Sequence, residues 1–141
     1  MSAQSVYADL VRSRLGPALR GEGLRGSSGR YYFPSATHFA RVSVQKSAYS
    51  DRFELKFTVN LLCVSVEDWA AYRLVRPEFP AEPSAGSYWG GPVRRKRLGK
   101  LMPEGEDTWW AVKDDDDPLV VGDDMLQALK SHGLPWLRAQ M

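Results

Sequence analysis

Phe53-Glu54-Leu55-Lys56-Phe57-Thr58-Val59-Asn60-Leu61 is the stretch that decides the fold. Phe53, Leu55, Phe57, Val59 and Leu61 alternate with Glu54, Lys56, Thr58 and Asn60. Successive side chains of a strand point to opposite faces, so this period of two predicts a half-buried strand in an antiparallel sheet. Its odd-numbered face rests on the core, and its even-numbered face looks the other way. The strand is expected to run from Phe53 to about Val64. The phase is lost at Leu61-Leu62, which predicts either a bulge or burial on both sides there.

On the N-terminal side, His38–Lys46 alternates in the same way, with Ala40, Val42 and Val44 on one face and Arg41, Ser43 and Gln45 on the other. The aromatic run Arg30-Tyr31-Tyr32-Phe33, stopped by Pro34, predicts another strand, and Gly26-Ser27-Ser28-Gly29 a turn before it. Val6, Leu10, Val11 and Leu15 have helical spacing, with Ser5 as the expected cap. Asp9 early and Arg12 and Arg14 late suit the helix dipole. Gly16-Pro17 is expected to kink or interrupt this helix, because proline donates no N–H and crowds the preceding turn.

On the C-terminal side, Ser65-Val66-Glu67-Asp68 reads as the cap and first turn of a short helix through Trp69 and Tyr72. Residues 76–92 hold Pro77, Pro80, Pro83 and Pro92 around a Gly/Ser-rich middle, a long loop of the functional or mobile kind. Strands are predicted from Pro92 to Arg97 and from Thr108 to Lys113. Asp117-Pro118 breaks the chain. Asp123 is expected to cap a helix through Lys130 that ends at His132-Gly133, with a last turn opening at Pro135. The expected fold is α+β: a five-stranded, mostly antiparallel sheet with the N- and C-terminal helices packed on one face, a two-layer sandwich.

The 141 residues fit one domain, 1–141, able to bury a core without a staple. The lone Cys63 cannot form an internal disulfide, which points to a reducing, cytoplasmic setting. No apolar run reaches the roughly 20 residues of a membrane span, and the first residues lack signal-peptide character. Residues 1–100 carry 16 Lys/Arg against 8 Asp/Glu, and residues 101–141 carry 3 against 9. Two halves of one fold can neutralise each other in this way, or the asymmetry can mark an interaction surface.

Four short motifs, in order, resemble one small bacterial family. Gly16-Pro17-Ala18-Leu19-Arg20 with Gly23-Leu24-Arg25 is similar to its "P-x-L-K-x-x-G-F-K" opening, with Leu24 where Phe is usual. Val44-Gln45-Lys46-Ser47 and Phe57-Thr58-Val59-Asn60-Leu61 resemble its paired central strands. Arg97-Leu98-Gly99-Lys100-Leu101 and Asp107-Thr108-Trp109-Trp110 resemble its "R-[IL]-G-x-L … D-x-W-W" hairpin, and Leu134-Pro135-Trp136-Leu137 its closing turn. The family is called domain of unknown function 4304, and the resemblance runs from about Arg12 to Leu137. It supports the fold and brings no activity with it.

Signals for catalysis are poor. Counted from Asp114, the acidic run Asp114–Asp117 places Leu119 and Met125 where a calcium loop needs glycine and an acid, so it reads as a solvated turn. Two histidines and one cysteine, far apart in sequence, make no zinc pattern. Phosphate-loop, dinucleotide and Gly-x-Ser-x-Gly motifs are missing. No catalytic residue, metal or cofactor is therefore assigned, and the chain leans away from being an enzyme, although an enzyme of unknown reaction stays open as an alternative. Arg94-Arg95-Lys96-Arg97-Leu98-Gly99-Lys100 holds five cations in seven residues and offers a nucleic-acid surface as another alternative. On a strand, however, its cations divide between two faces.

Trp109-Trp110 is the most informative pair. Adjacent strand residues diverge, so one indole enters the core and the other lies on the opposite face. Trp110 shares its face with Val112 and is the core member. Trp109 is then expected beside Gln45, Asn60 and Arg95 or Arg97, a ligand-binding set on the open face of the sheet. The competing expectation is that the 76–92 loop, with Tyr88 and Trp89, lies over it. The function expected is a non-enzymatic binding or protein-interaction module, with a toxin-immunity factor as an architectural analogy. A protein partner is favoured over nucleic acid, and no membrane is involved.

Overall fold

The computed structural model describes residues 2–141. Six strands form one antiparallel sheet: β1 (Arg25–Ser27), β2 (Arg30–Phe33), β3 (His38–Lys46), β4 (Glu54–Ser65), β5 (Arg94–Arg97) and β6 (Trp110–Lys113). Their order is β1-β2-β3-β4-β5. β6 pairs with Glu54–Phe57 of β4 and β5 with Asn60–Cys63, so the two lie end to end on the flank that β3 leaves free. The strand beyond the expected five is β1. It folds back from β2 through Ser28-Gly29, both at positive φ, the backbone that a two-residue hairpin turn requires. With only three exposed residues, β1 offers no periodicity to read.

β4 is the spine. Its register with β3 is unbroken from His38 opposite Ser65 to Lys46 opposite Phe57. The phase break at Leu61-Leu62 is therefore no bulge; both faces are buried there. Leu55, Phe57, Val59 and Leu61 enter the main core with Val42 of β3 and Val112 of β6. Leu62 and Val64, on the other face, enter a second cluster with Trp69 and Ala85. Phe53 departs from the expectation: its side chain is 58% exposed. β4 starts one residue later, and β3 stops at Lys46, opposite Phe57, so no neighbour on that side reaches Phe53. The Asp51 carboxylate accepts from the Phe53 and Glu54 N–H groups and organises this strand start. Those amides hold its pKa below the ordinary carboxylate value.

The terminal helices cover one face. α1 (Ala3–Leu10) is capped by Ser2, one turn before the expected Ser5. Ser5 instead completes a reciprocal capping box, each serine hydroxyl accepting from the other's backbone N–H. The expected interruption at Gly16-Pro17 does not occur. The helix widens into a π-turn at Val11–Leu15, where the Gly16 N–H reaches the Val11 carbonyl, and resumes as α2 (Gly16–Gly21). The wider turn accommodates a ring with no N–H to donate. The C-terminal helix repeats the device. α5 (Asp123–Ala128) passes through a π-turn at Leu129–Gly133 into α6 (Leu134–Ala139), so the chain does not stop at His132-Gly133. Gly122, not Asp123, is its cap residue; Asp123 and Asp124 lie in the first turn, where the helix dipole favours carboxylates. Leu10, Leu15 and Leu19 from one helix and Leu129, Leu134 and Leu137 from the other complete the core.

α3 (Val66–Val75) and the segment after it lie across part of the opposite face. Ser65 caps α3, accepting from the Asp68 N–H. Residues 76–93 contain no helix or strand, yet they are tied down. Trp69 stacks on Phe79 at 5.8 Å between ring centroids, and Trp89 meets both rings edge-on. The Trp69 indole N–H donates to the Ala81 carbonyl and the Tyr72 hydroxyl to the Trp89 carbonyl. No helix of the described residues is long and apolar enough to cross a membrane.

Candidate functional site

The even-numbered face of β4 is where the strands bring polar side chains together. In register, Gln45 lies opposite Thr58, and Ser43, Asn60 and Arg97 form one row across β3, β4 and β5. Arg95 stands opposite Leu62, one row along. It leans back so that its Nη2 donates to Asn60 Oδ1 at 2.8 Å, while its Nε donates to the Ala85 carbonyl at 2.8 Å. Asn60 Nδ2 donates to Gln45 Oε1 at 2.9 Å, and Arg97 reaches the same oxygen at 3.5 Å.

Arg97 also donates to Asp107 Oδ2 at 2.7 Å and holds its guanidinium 5.3 Å above the Trp109 ring. The Trp109 indole N–H is directed to the same Asp107 oxygen at 3.4 Å. The structure thus gathers Gln45, Asn60, Arg95, Arg97 and Trp109 into one network. Trp110 goes to the other side, 6.4 Å from the Phe57 ring.

Local structure explains why Trp109 is held so firmly. The short α4 (Leu98–Leu101) packs directly on the segment leading into β6, which begins at Trp110 rather than at the expected Thr108. A Cβ built on Gly99 would lie 2.4 Å from the Glu106 carbonyl oxygen and the Thr108 nitrogen, so only glycine fits. Thr58 Oγ1 donates to the Thr108 carbonyl at 2.9 Å from beneath.

Two features of this face differ from a simple open sheet. Asn60 and Thr58 are fully buried, covered by the groups they bond. The residue 76–93 segment covers Leu62 and Val64 rather than Trp109. Its Trp89 faces the Trp69 cluster, and Tyr88 is exposed. Partial burial, and next the charge of Arg97, pull the Arg95 pKa below the ordinary guanidinium value. Among the described residues no carboxylate lies within ion-pair distance of Arg95. Beyond Trp109 opens a shallow cavity of about 540 Å³, lined by Gln45, Lys46, Tyr49 and Lys56 among others.

The remaining chemical candidates disperse. In the basic segment, Arg95 and Arg97 share the face just described. Arg94 and Lys96 alternate to the other side and are exposed. The acidic run folds as turns: Asp116 accepts from the Lys113 N–H and Asp117 from the Leu119 N–H. Among the described residues no three His, Cys, Asp or Glu are grouped to hold a metal ion. Cys63 is buried, and desolvation pushes its thiol pKa up in spite of Arg94, the reverse of an activated nucleophile. Sequence reasoning missed the hold that Asp107 and Ala85 exert on the two arginines. A signal did exist for Asp107, two residues before Trp109, but none marked Ala85. No curated protein and no solved structure matches this sequence. The model of the family described as Domain of unknown function (DUF4304) matches over residues 15–139, and the chain belongs to that family.

Proposed function

We propose that this chain is a non-enzymatic binding module of the bacterial cytoplasm that docks a protein partner on the Trp109 side of its sheet. A partner-blocking role of the toxin-immunity kind fits this build. The observation that carries the reading is a rigid, half-exposed Trp109, braced by Arg97 and Asp107, on the same sheet face as Arg95, a guanidinium that has no carboxylate partner among the described residues. A braced indole loses little entropy on binding, and tryptophan and arginine are the commonest anchors of protein interfaces. An acidic group on the partner would supply the counter-charge that Arg95 lacks. The buried, unpaired Cys63 suits a reducing compartment.

The test is affinity capture from the native host with the wild-type chain and with Trp109→Ala, followed by reconstitution with the purified partner. Trp109→Ala is expected to weaken the complex by about 2 kcal/mol, roughly thirtyfold in Kd, with the fold intact by circular dichroism. Equal affinity of the two proteins for the partner overturns the reading. A complex formed instead with single-stranded nucleic acid, and lost steeply with added salt, would give the basic segment the function.

A further inference from the structure

On the far side of Ala85 from the Trp109 network lies a second cavity, of about 360 Å³, between β2–β3 and residues 82–85. Arg30, Tyr32, Arg41 and Ser43 stand on its sheet wall, and Glu82 and Ser84 on the loop wall. Two polar atoms of this wall, Arg41 Nε and Ser43 Oγ, are buried with no hydrogen-bond partner. Such groups are costly unless something supplies the missing bond. The Ser43 side chain has little other freedom to find one, since the residue is only 9% exposed.

The charges at the cavity are two guanidinium groups and one carboxylate. Arg41 Nη2 donates to Glu82 Oε1 at 3.0 Å, and its guanidinium rests 5.8 Å from the Tyr32 ring and 5.3 Å from the Phe39 ring. Arg30 has no carboxylate within ion-pair distance among the described residues. Both unpartnered atoms can donate, and the cationic excess is one.

We infer that this cavity binds the oxyanion of a small molecule, a carboxylate or a phosphate, between Arg30, Arg41 Nε and Ser43 Oγ. An oxyanion accepts several charge-assisted bonds at once, which a water cannot match. The volume is that of a small-molecule site, and Tyr32 and Pro83 give the ligand body an apolar wall. This site is independent of the protein-docking reading above, because Trp109 takes no part in it.

The experiment is a thermal-shift and calorimetric titration of the full chain at fixed ionic strength. The probes are inorganic phosphate, sodium benzoate and neutral benzamide, with sodium chloride as the reference. A saturable rise in Tm is expected with phosphate or with benzoate, and which of the two gives it separates a phosphoryl from a carboxylate ligand. Benzamide should give none. Ser43→Ala and Arg30→Gln are each expected to weaken the anion about tenfold, the worth of one charge-assisted bond. Without ligand, Ser43→Ala should melt at or above the wild-type temperature, because it removes an unpaired hydroxyl. Trp109→Ala should leave anion binding unchanged. The inference is overturned if neither anion acts beyond sodium chloride, if benzamide acts equally, if both site variants keep full affinity, or if Ser43→Ala lowers the Tm of the free protein.

Discussion

Both indoles are partly buried: Trp110 packs beside Phe57 against the main core, whereas Trp109 sits against Arg97 on the opposite face. Trp110→Ala is expected to lower stability by about 3 kcal/mol in urea melts, and Trp109→Ala by about 1 kcal/mol. The reverse ranking would place the wrong indole in the core. Phe57→Ala, at the centre of β4, should cost about 3–5 kcal/mol by the same measurement. Tyr7 sets the alkaline limit. Burial, and then the neighbouring Tyr31, push its pKa from 10.0 to about 12. The unfolded chain ionises this phenol first, so its contribution is complete below pH 10.0 and drains away between there and about 12. Denaturant melts across that window should show a smaller loss in Tyr7→Phe than in the wild type.

At the scale of the element, legibility in the sequence followed from how strongly a segment repeats. β3 and β4 alternate over many residues, and their faces and extents were readable, with Phe53 misjudged because strand ends depend on what the neighbour covers. Placement of Gln45 and Asn60 on one face followed from the same period. Trp109 lies just outside β6, which starts at Trp110 and not at the expected Thr108, and the Thr58 bond to the Thr108 carbonyl holds it beside that face. The bonds that join these residues were not legible, since the reach of Arg95 to Asn60 is a matter of rotamer and not of register.

Gly16-Pro17 was expected to kink or interrupt the first helix and His132-Gly133 to end the last one. Both helices instead run on through a π-turn, which has no compositional mark of its own. Residues 76–92 were expected to be a loop, and the strand expected from Pro92 starts only at Arg94. The aromatic content of this loop, Phe79 and Trp89 following Trp69 and Tyr72, was the sign that it would be anchored. Trp69→Ala should therefore loosen that whole segment, with amide exchange rising across 79–93 while β3 and the terminal helices keep their protection. Protection lost uniformly instead would make the second cluster inseparable from the first.

Across the whole molecule, the basic first hundred residues and the acidic remainder meet through pairs such as Arg14–Asp123 and Arg97–Asp107. These are exposed or partly exposed pairs, worth up to about 1 kcal/mol each. The terminal helices are held mainly by the apolar core they share with β4, to which Leu134 and Leu137 contribute. Raising sodium chloride to about 1 M should thus shift the melting temperature by only a few degrees. Deleting residues 134–141 removes two fully buried leucines and should abolish cooperative unfolding in calorimetry. A truncated chain that still melts sharply would mean the sheet and first helix suffice.

The division of one flank of β4 between β5 and β6 bears on how anything can be recognised by this protein. Partners that bind by strand addition need a long, unpaired and regular edge. Here each outer edge strand is three or four residues long: β1 at one side, and β5 and β6, parted by α4, at the other. They carry Arg25, Arg94, Lys96 and Lys113, whose charge repels the same side chains of a second copy of the strand. A β-ladder continued into a second chain finds no purchase there. Recognition is left to side chains on the face of the sheet, which ties specificity to single residues such as Trp109 and Ser43 and makes it separable by point substitution from the fold that carries them.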